Sequence, residues 1–272
     1  MQKLPIITLT TDFGLQDPFV GVMHGVIAGI CPSARIIDLS HGIEAFNLLD
    51  GALVLWQSWR YFPAATIHTI VVDPGVGSER SALLVRMGGH WFVAPDNGVL
   101  TLVQRDVLHK GGECRAWKIT SPAVMLPEPS NTFHGRDIFS PAAAHLAWHI
   151  EHGSIDPAHF GAPIAGLTQL PVPEPIHHPD GSIEGVLLKA DKFGNLLTNI
   201  PSTTLPKHYE TLRIIAGDQI IDRWARNFAS QPPAQLFAIA GSSGLVEIAV
   251  NRGSALATTG LKPGTPVTLV RP

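Results

Sequence analysis

Cysteine is nearly absent: Cys31 and Cys114 are the only two in 272 residues, and their spacing fits no disulfide framework, metal site or redox pair. They read as two buried thiols in a reducing compartment. Charge is scarce too, because Asp, Glu, Lys and Arg make up 15% of the chain, against roughly 25% in an average soluble protein. The 19 Lys and Arg are scattered, so the electrostatic footprint of a nucleic-acid partner is missing. No apolar run approaches the roughly 18 residues of a membrane span. Met1 to Thr10 holds too short an apolar stretch for a secretory signal, so the expectation is a cytoplasmic protein with no membrane partner. There is neither a Walker phosphate loop nor a strand-linked Gly-x-Gly-x-x-Gly, which argues against ATPases, Rossmann dehydrogenases and ordinary Rossmann methyltransferases. What is present is apolar substance: 45% hydrophobic residues with a net charge of −3 exclude disorder. So low a charge fraction also leaves an apolar surface suited to subunit contacts.

Through the first half, short β-branched runs alternate with amphipathic stretches, which predicts an α/β N-terminal domain with a mostly parallel central sheet. Strands are expected at 6–10, 34–39 and 66–72, with helices at 19–30 and 47–62 between them. Gly88-Gly89 makes a hairpin of 82–87 and 90–94. Helices resume near Gly98 and at 141–152, the second with Ser140 as N-cap and Pro141 as first helical residue. Pro163, Pro171, Pro173, Pro175 and Pro179 mark a stiff linker. The expected division is therefore a 1–165 α/β domain, a 166–182 linker and a 183–272 domain. Strand-like runs at 183–190, 211–215, 236–240, 245–250 and 265–270 make that last part a smaller all-β, barrel-like domain.

In an open α/β sheet the ligand crevice lies beyond the carboxyl ends of the parallel strands. Asp12 in Thr10-Thr11-Asp12-Phe13-Gly14, Asp38, and Asp73 in Val71-Val72-Asp73-Pro74-Gly75-Val76-Gly77 all fall there. Any one of them reads equally as a turn-capping aspartate, but three at equivalent strand ends point to a shared site. One version of that site is a metal-dependent phosphoester hydrolase with these acids on Mg²⁺. Arg80 could fold back over the Asp73 turn and keep its carboxylate ionised. The segment Asn131-Thr132-Phe133-His134-Gly135-Arg136-Asp137 packs an aromatic, an imidazole and an ion-pairable couple into one loop; its plainer reading is that Arg136 and Asp137 merely pair. In Asp191-Lys192-Phe193-Gly194-Asn195, the acid and the amide could take the two ends of a zwitterionic amino-acid head. Gly241-Ser242-Ser243-Gly244 reads as a turn between strands. His145, His149 and His152 share a helix face, but no Glu completes a zinc-protease pattern, and no metal site is expected.

Taken together and in order, Thr11-Asp12-Phe13-Gly14, Asp73 to Gly77 with Arg80, Ala94-Pro95-Asp96-Asn97-Gly98, Thr132 to Asp137 and Asp191 to Asn199 resemble the S-adenosylmethionine (SAM) hydrolase family. Its members, also called SAM hydroxide adenosyltransferases, are related to the fluorinase and chlorinase enzymes and cleave SAM to adenosine and methionine. The resemblance implies a homotrimer, with the ligand between the N-domain of one subunit and the C-domain of the next, and no cofactor. It implies a catalytic triad of Asp73, Arg80 and His134. Asp12 would grip the ribose, with Phe46 and Phe133 lining the ribose and sulfonium region and Gly135 beside them. Asp17, Asp191, Asn195, Ser242 and Ser243 would hold the methionine part, and Phe228 would stack on adenine. The fluorinase has a tyrosine at the position of Asp73 and a halide-holding serine at Gly135; a carboxylate at Asp73 would repel a halide, so water is the expected nucleophile here, and Leu197 in place of the fluorinase's tryptophan implies a looser methionine pocket. A non-catalytic SAM or adenosine sensor and a SAM-dependent chlorinase are the alternatives.

Overall fold

The computed structural model describes residues 4–271, and the chain divides into two compact units between Leu170 and Pro171. Along the first run β1 (Ile6–Thr11), α1 (Phe19–Ile30), β2 (Arg35–Ser40), α2 (Leu48–Ser58), β3 (Ile67–Val71), β4 (Ala82–Met87), β5 (His90–Pro95), α3 (Thr101–His109), β6 (Cys114–Lys118), α4 (Ser140–Glu151) and β7 (Pro163–Ile164). They form one seven-stranded sheet in the order β2-β1-β3-β5-β4-β6-β7. The sheet is only partly parallel, which corrects the expectation. β2, β1, β3 and β5 run parallel, whereas β4, β6 and β7 are antiparallel to their neighbours. The reversal starts at the turn between β4 and β5, where Gly88 and Gly89 both take positive φ, +57° and +79°, a conformation open to glycine at no steric cost.

Both faces of this sheet are covered, so β3 is buried along its whole length and reads as a continuous apolar run. Met23 and Ile27 of α1 and Leu146 of α4 pack with Ile7, Leu9 and Phe139 on one face. Leu55 of α2 and Val103 of α3 pack with Val72, Val85 and Phe92 on the other. Asn47 caps α2 by accepting the Asp50 amide at 3.0 Å. Beyond Ser58 the chain tightens into a 3₁₀ turn rather than continuing as α-helix. A second correction concerns α4. Ser140 is not an N-cap but already helical, because a π-turn over Gly135–Phe139 leads straight into it. Pro141 has no N–H to give, and the widened turn, in which the Ser140 amide bonds back to Gly135, carries the chain past that missing donor. Of the two thiols, Cys31 is buried and Cys114 only half-buried, and both are free.

The second unit contains β8 (Ile176–His177), β9 (Ile183–Ala190), β10 (Leu196–Pro201), β11 (Arg213–Ala216), β12 (Gln219–Ile221), β13 (Trp224–Ala225), β14 (Leu236–Ala240), β15 (Leu245–Val250), the short helix α5 (Ala255–Thr259) and β16 (Pro266–Val270). Its sheet runs β12-β11-β16-β9-β10-β15-β14-β13, with β8 on β9, and curls into a half-barrel around Leu187, Ile214, Val246, Ile248 and Val267. The proline-rich stretch is partly laid against this sheet. Ile176 pairs with Glu184, and Asn199 Nδ2 donates to the Pro173 carbonyl at 3.0 Å.

Candidate active site

β1 and β3 end side by side, Thr11 opposite Val71, so the residues that follow them, Asp12 and Asp73, leave the same edge of the sheet. The loop after β1 is tied down by a buried threonine. Thr11 Oγ1 meets His41 Nδ1 at 2.9 Å and accepts the Phe13 amide at 3.2 Å, while the Gly14 amide donates to the His41 carbonyl at 2.8 Å. Asp12 Oδ2 accepts the Phe46 amide at 2.8 Å. Phe46 holds φ +65°, which is uncommon for a bulky residue and concentrates at functional sites, and it stands 71% exposed. Asp73 is positioned from behind: Asn97 Nδ2 holds the Val72 carbonyl at 2.9 Å, and Asp96 Oδ1 accepts the Thr168 amide at 2.8 Å. Within the Asp96-Asn97-Gly98 motif, Asn97 thus braces the strand end while Asp96 ties down the 168 segment.

Arg80 folds back as the spacing suggests. Its Nε donates to both Asp73 oxygens, at 3.1 and 2.9 Å, and its Nη2 bonds Asp73 Oδ2 as well. The same Nη2 reaches His134 Nδ1 at 2.6 Å, and the guanidinium lies over the Phe139 ring at 5.3 Å. The pair is deeply set, with side chains 4% and 9% exposed. A guanidinium only donates, so Nδ1 of His134 must accept, and the neutral ring carries its proton on Nε2. Burial and the Arg80 charge hold the His134 imidazole below its usual range, and Asp73, Asp137 and the Ser130 backbone only partly offset them.

The loop that delivers His134 is anchored on Asp137, which is buried and accepts from Ser130 N at 2.9 Å, Ser130 Oγ at 2.7 Å and Arg136 Nη2 at 3.0 Å. The plainer reading of Arg136 and Asp137 therefore holds for that pair: they bond each other and fix the loop. Phe133 meets Phe13 and Phe19 edge-on, with centroids 5.9 and 5.2 Å apart. A Cβ on Gly135 would lie 3.1 Å from Phe133 and 3.3 Å from both Met23 Sδ and Phe13, tighter than ordinary packing allows.

These pieces enclose a cavity of about 270 Å³ that brings together Asp12, Phe46, Asp73, Phe133, His134 and Gly135. Arg80 sits behind its wall. Asp17 is exposed and does not line the cavity. Asp38 is engaged elsewhere, with His24 at 2.9 Å and His41 at 3.0 Å. Among the described residues no cluster of three His, Cys, Asp or Glu is arranged to hold a metal ion. Phe13 and Phe19 also line the cavity and were missed. Phe19 opens a helix at apolar spacing, so from the sequence it looks like core; Phe13 lies inside a motif singled out for its aspartate.

In the second unit Asp191 turns inward on its own loop. Its Oδ1 accepts the Phe193 and Asn195 amides at 2.8 and 2.9 Å, and its Oδ2 accepts Asn195 Nδ2 at 2.8 Å. Ser242 is exposed on the 241–244 turn, whereas Ser243 Oγ donates to Glu247 at 2.9 Å. Phe228 is half-exposed and stands edge-on to Phe237 at 5.9 Å.

Comparison with known proteins follows the same two-unit division. Residues 7–155 match the SAM hydroxide adenosyltransferase N-terminal domain and residues 185–268 the corresponding C-terminal domain. The chain is 38% identical over 273 residues to the (R)-S-adenosyl-L-methionine hydrolase of Salinispora arenicola (strain CNS-205), covering 97% of each chain. Against the fluorinase of Actinoplanes sp. (strain N902-109) identity is 27% over 227 residues, 75% of this chain and 74% of the other. The crystal structure of an uncharacterized conserved protein from Thermotoga maritima superposes with a TM-score of 0.88 at 33% identity, covering 97% of this chain and 100% of that one.

Proposed function

Since the chain belongs to the SAM hydroxide adenosyltransferase family, we propose that it hydrolyses S-adenosyl-L-methionine to adenosine and L-methionine by attack of water, or hydroxide, on the ribose C5′. The observation that carries this reading is the Asp73–Arg80–His134 chain at the wall of an aromatic cavity. The water oxygen bonds to C5′ as the C5′–S bond breaks, and its electron pair neutralises the sulfonium to a thioether. One proton is released from the water. A neutral thioether departs without an acid or a metal ion, so the protein's task is to aim and activate the nucleophile, and no cofactor is called for. Asp73 accepts or orients the water proton; a positioned base of this kind contributes about 10²–10⁴ in rate. Arg80 ties the carboxylate and the imidazole together through hydrogen bonds to both, and His134 holds the second position on the nucleophile. A carboxylate at Asp73 also repels halide ions, which favours water over chloride.

Asp12 takes the ribose hydroxyls, Phe46, Phe133 and Gly135 line the ribose and sulfonium region, and Phe228 stacks on adenine. Asp17, Asn195, Ser242 and Ser243 serve the methionine portion, with Asp191 shaping the loop that carries Asn195. Phe46, Phe193 and Phe228 leave aromatic surface uncovered, which supports a homotrimer in which the N-domain of one subunit and the C-domain of the next share each ligand. Two free thiols favour the cytoplasm.

The test is turnover of both sulfonium epimers of SAM in oxygen-18 water, with and without a chelator, with the products read by mass spectrometry. Labelled adenosine with unlabelled methionine, unaffected by the chelator, is expected. Intact SAM after long incubation refutes the reading in favour of a sensor, and chloride-dependent 5′-chloro-5′-deoxyadenosine refutes it in favour of a halogenase.

A further inference from the structure

Asp38 lies near the end of β2, at one of the strand ends from which a shared site is expected, yet neither it nor His41 nor Thr11 lines the cavity. The three residues meet one another instead. Along the ladder between β1 and β2, Leu9 pairs with Asp38 but Thr10 pairs with Ser40, so the register slips by one residue. Such a bulge re-aims side chains, often beside an active site, and here the chain beyond it brings His41 against Thr11. Thr11 is fully buried and His41 only 6% exposed, whereas Asp38 is exposed on the edge strand.

The contacts among them have a direction. His41 Nδ1 is 2.9 Å from Thr11 Oγ1. Its buried Nε2 lies 3.0 Å from Asp38 Oδ1, off the line of a full hydrogen bond and with no other partner. Asp38 Oδ1 also accepts His24 Nε2 at 2.9 Å. Burial pushes the Asp38 carboxyl up, but the contacts with His41 and His24 outweigh it and hold the group below its ordinary range. A bare lone pair on Nε2 would face that negative oxygen, so the His41 proton belongs on Nε2 and Nδ1 is left as an acceptor. The Thr11 hydroxyl must then donate to Nδ1, which aims its lone pairs at the Phe13 amide, 3.2 Å away. The His41 carbonyl takes the Gly14 amide at 2.8 Å. Side chain and backbone of one histidine therefore clamp the turn from Thr11 to Gly14, and Asp12 sits inside the clamp. One Asp12 oxygen accepts the Phe46 amide, and among the described residues no hydrogen bond claims the other.

Resting on the reading of Asp12 as the acid that takes the ribose hydroxyls, we infer that Asp38 is a positioning residue for the reaction, which acts through His41 and Thr11 to fix where Asp12 and Phe13 stand. Its charge selects the His41 tautomer, the tautomer orients the Thr11 hydroxyl, and the hydroxyl holds the turn. A misplacement of about 1 Å in such a site can cost 10²-fold in rate, so a residue that never touches the substrate governs how well the ribose is gripped.

The test compares SAM with its analogue lacking both ribose hydroxyls, in wild type, Asp38→Asn, Thr11→Val, Thr11→Ser and the double variant of Asp38→Asn with Thr11→Val. Asp38 is exposed, so its substitution leaves the core intact, and an amide presents a donor to Nε2 as readily as an acceptor and no longer selects the tautomer. Wild type is expected to prefer SAM by at least about tenfold in kcat/KM, through KM, as charge-assisted hydrogen bonds to Asp12 imply. That preference should fall at least about threefold in Asp38→Asn and in Thr11→Val, while Thr11→Ser, which keeps the hydroxyl, should retain it. The double variant should lose no more than the worse single one, because both substitutions break the same chain. A merely structural role would depress both substrates alike and leave the ratio intact, which overturns the assignment. Losses that multiply in the double variant overturn it too, as does wild type that accepts both substrates equally. Nitrogen-15 shifts of the His41 ring give a readout apart from turnover: a proton on Nε2 in wild type that redistributes in Asp38→Asn is expected, and a proton on Nδ1 in wild type overturns the assignment. Wild type that leaves SAM intact removes the hydrolase reading instead, and the ring shifts then decide the role of Asp38 on their own.

Discussion

Gly77 is where the two loops of the candidate site touch. It holds φ +77°, and a Cβ there would overlap the backbone carbonyl oxygen of Asn131, three residues before His134. In Gly77→Ala the left-handed conformation costs about 1–2 kcal/mol, and pressing a methyl group against backbone adds about 1–3 kcal/mol. The cheapest relief is for the Asp73–Arg80 turn to draw away from the 131–137 loop, which breaks the 2.6 Å bond from Arg80 to His134. With roughly 2 kcal/mol as the lower bound of the mismatch, kcat/KM for SAM should fall by about 30-fold or more. The melting temperature should fall by only several degrees, about 2–4 °C per kcal/mol for a chain of this size. Gly89→Ala is the control: φ is +79°, but nothing lies within 4 Å of the added Cβ, so it should lower the melting temperature and keep kcat/KM within about twofold. Chromatographic quantification of adenosine across a SAM series, with melting curves of each variant, reads both effects. A Gly77→Ala enzyme that loses no more activity than Gly89→Ala would refute the reasoning that these loops are held in contact.

Arg80→Ala should lower kcat by about 10²-fold or more with a much smaller change in KM; wild-type kcat in this variant would remove Arg80 from the mechanism. The same variant should raise the His134 titration midpoint, because the Arg80 charge is among the influences that hold it down; an NMR titration showing no rise would contradict the observed contact. Acid should destabilise the fold through His68, which burial lowers from 6.5 to about 3, with the neighbouring His90 adding to the shift. A depressed folded value means that the unfolded chain binds the extra proton between pH 6.5 and 3, so stability is lost as pH falls below about 6.5, by up to about 1.4 kcal/mol per pH unit. Urea midpoints equal at pH 7 and pH 5 would show that His68 is not held neutral.

The elements that the sequence announces are those whose pattern follows from burial. β1, β3 and the β4–β5 hairpin carry β-branched runs and a Gly-Gly turn, and they fold as read. β6 does not announce itself, because Cys114-Arg115-Ala116-Trp117-Lys118 lies near the antiparallel edge and buries mainly Ala116. β10 is hidden for the opposite reason: Leu196 to Asn199 is buried throughout, polar residues included, and its motif drew attention to chemistry instead of extension. The mixed character of the first sheet was out of reach of periodicity, which reports strands but not their direction. At the site, Asp12, Asp73 and His134 are legible because strand ends and loops carry polar residues for a reason. Phe13 and Phe19 are not, since an aromatic at a helix start looks like core and one inside a motif is overshadowed by its aspartate.

The packing beneath Gly135 bears on how this site could change its trade. In the fluorinase pattern a serine at that position helps to hold the halide; here an added Cβ would meet Phe133 at 3.1 Å and Met23 and Phe13 at 3.3 Å, side chains that would have to give by about a few tenths of an ångström to admit it. Even with that accommodation, the carboxylate of Asp73, bound to Arg80, would still repel the anion. Hydrolysis and halogenation on this scaffold therefore lie more than one substitution apart: a serine at Gly135 leaves the repelling charge in place, and replacing Asp73 alone supplies no hydroxyl for the halide. A directed-evolution route has to change both positions together, with slack in the Phe133 region easing the first.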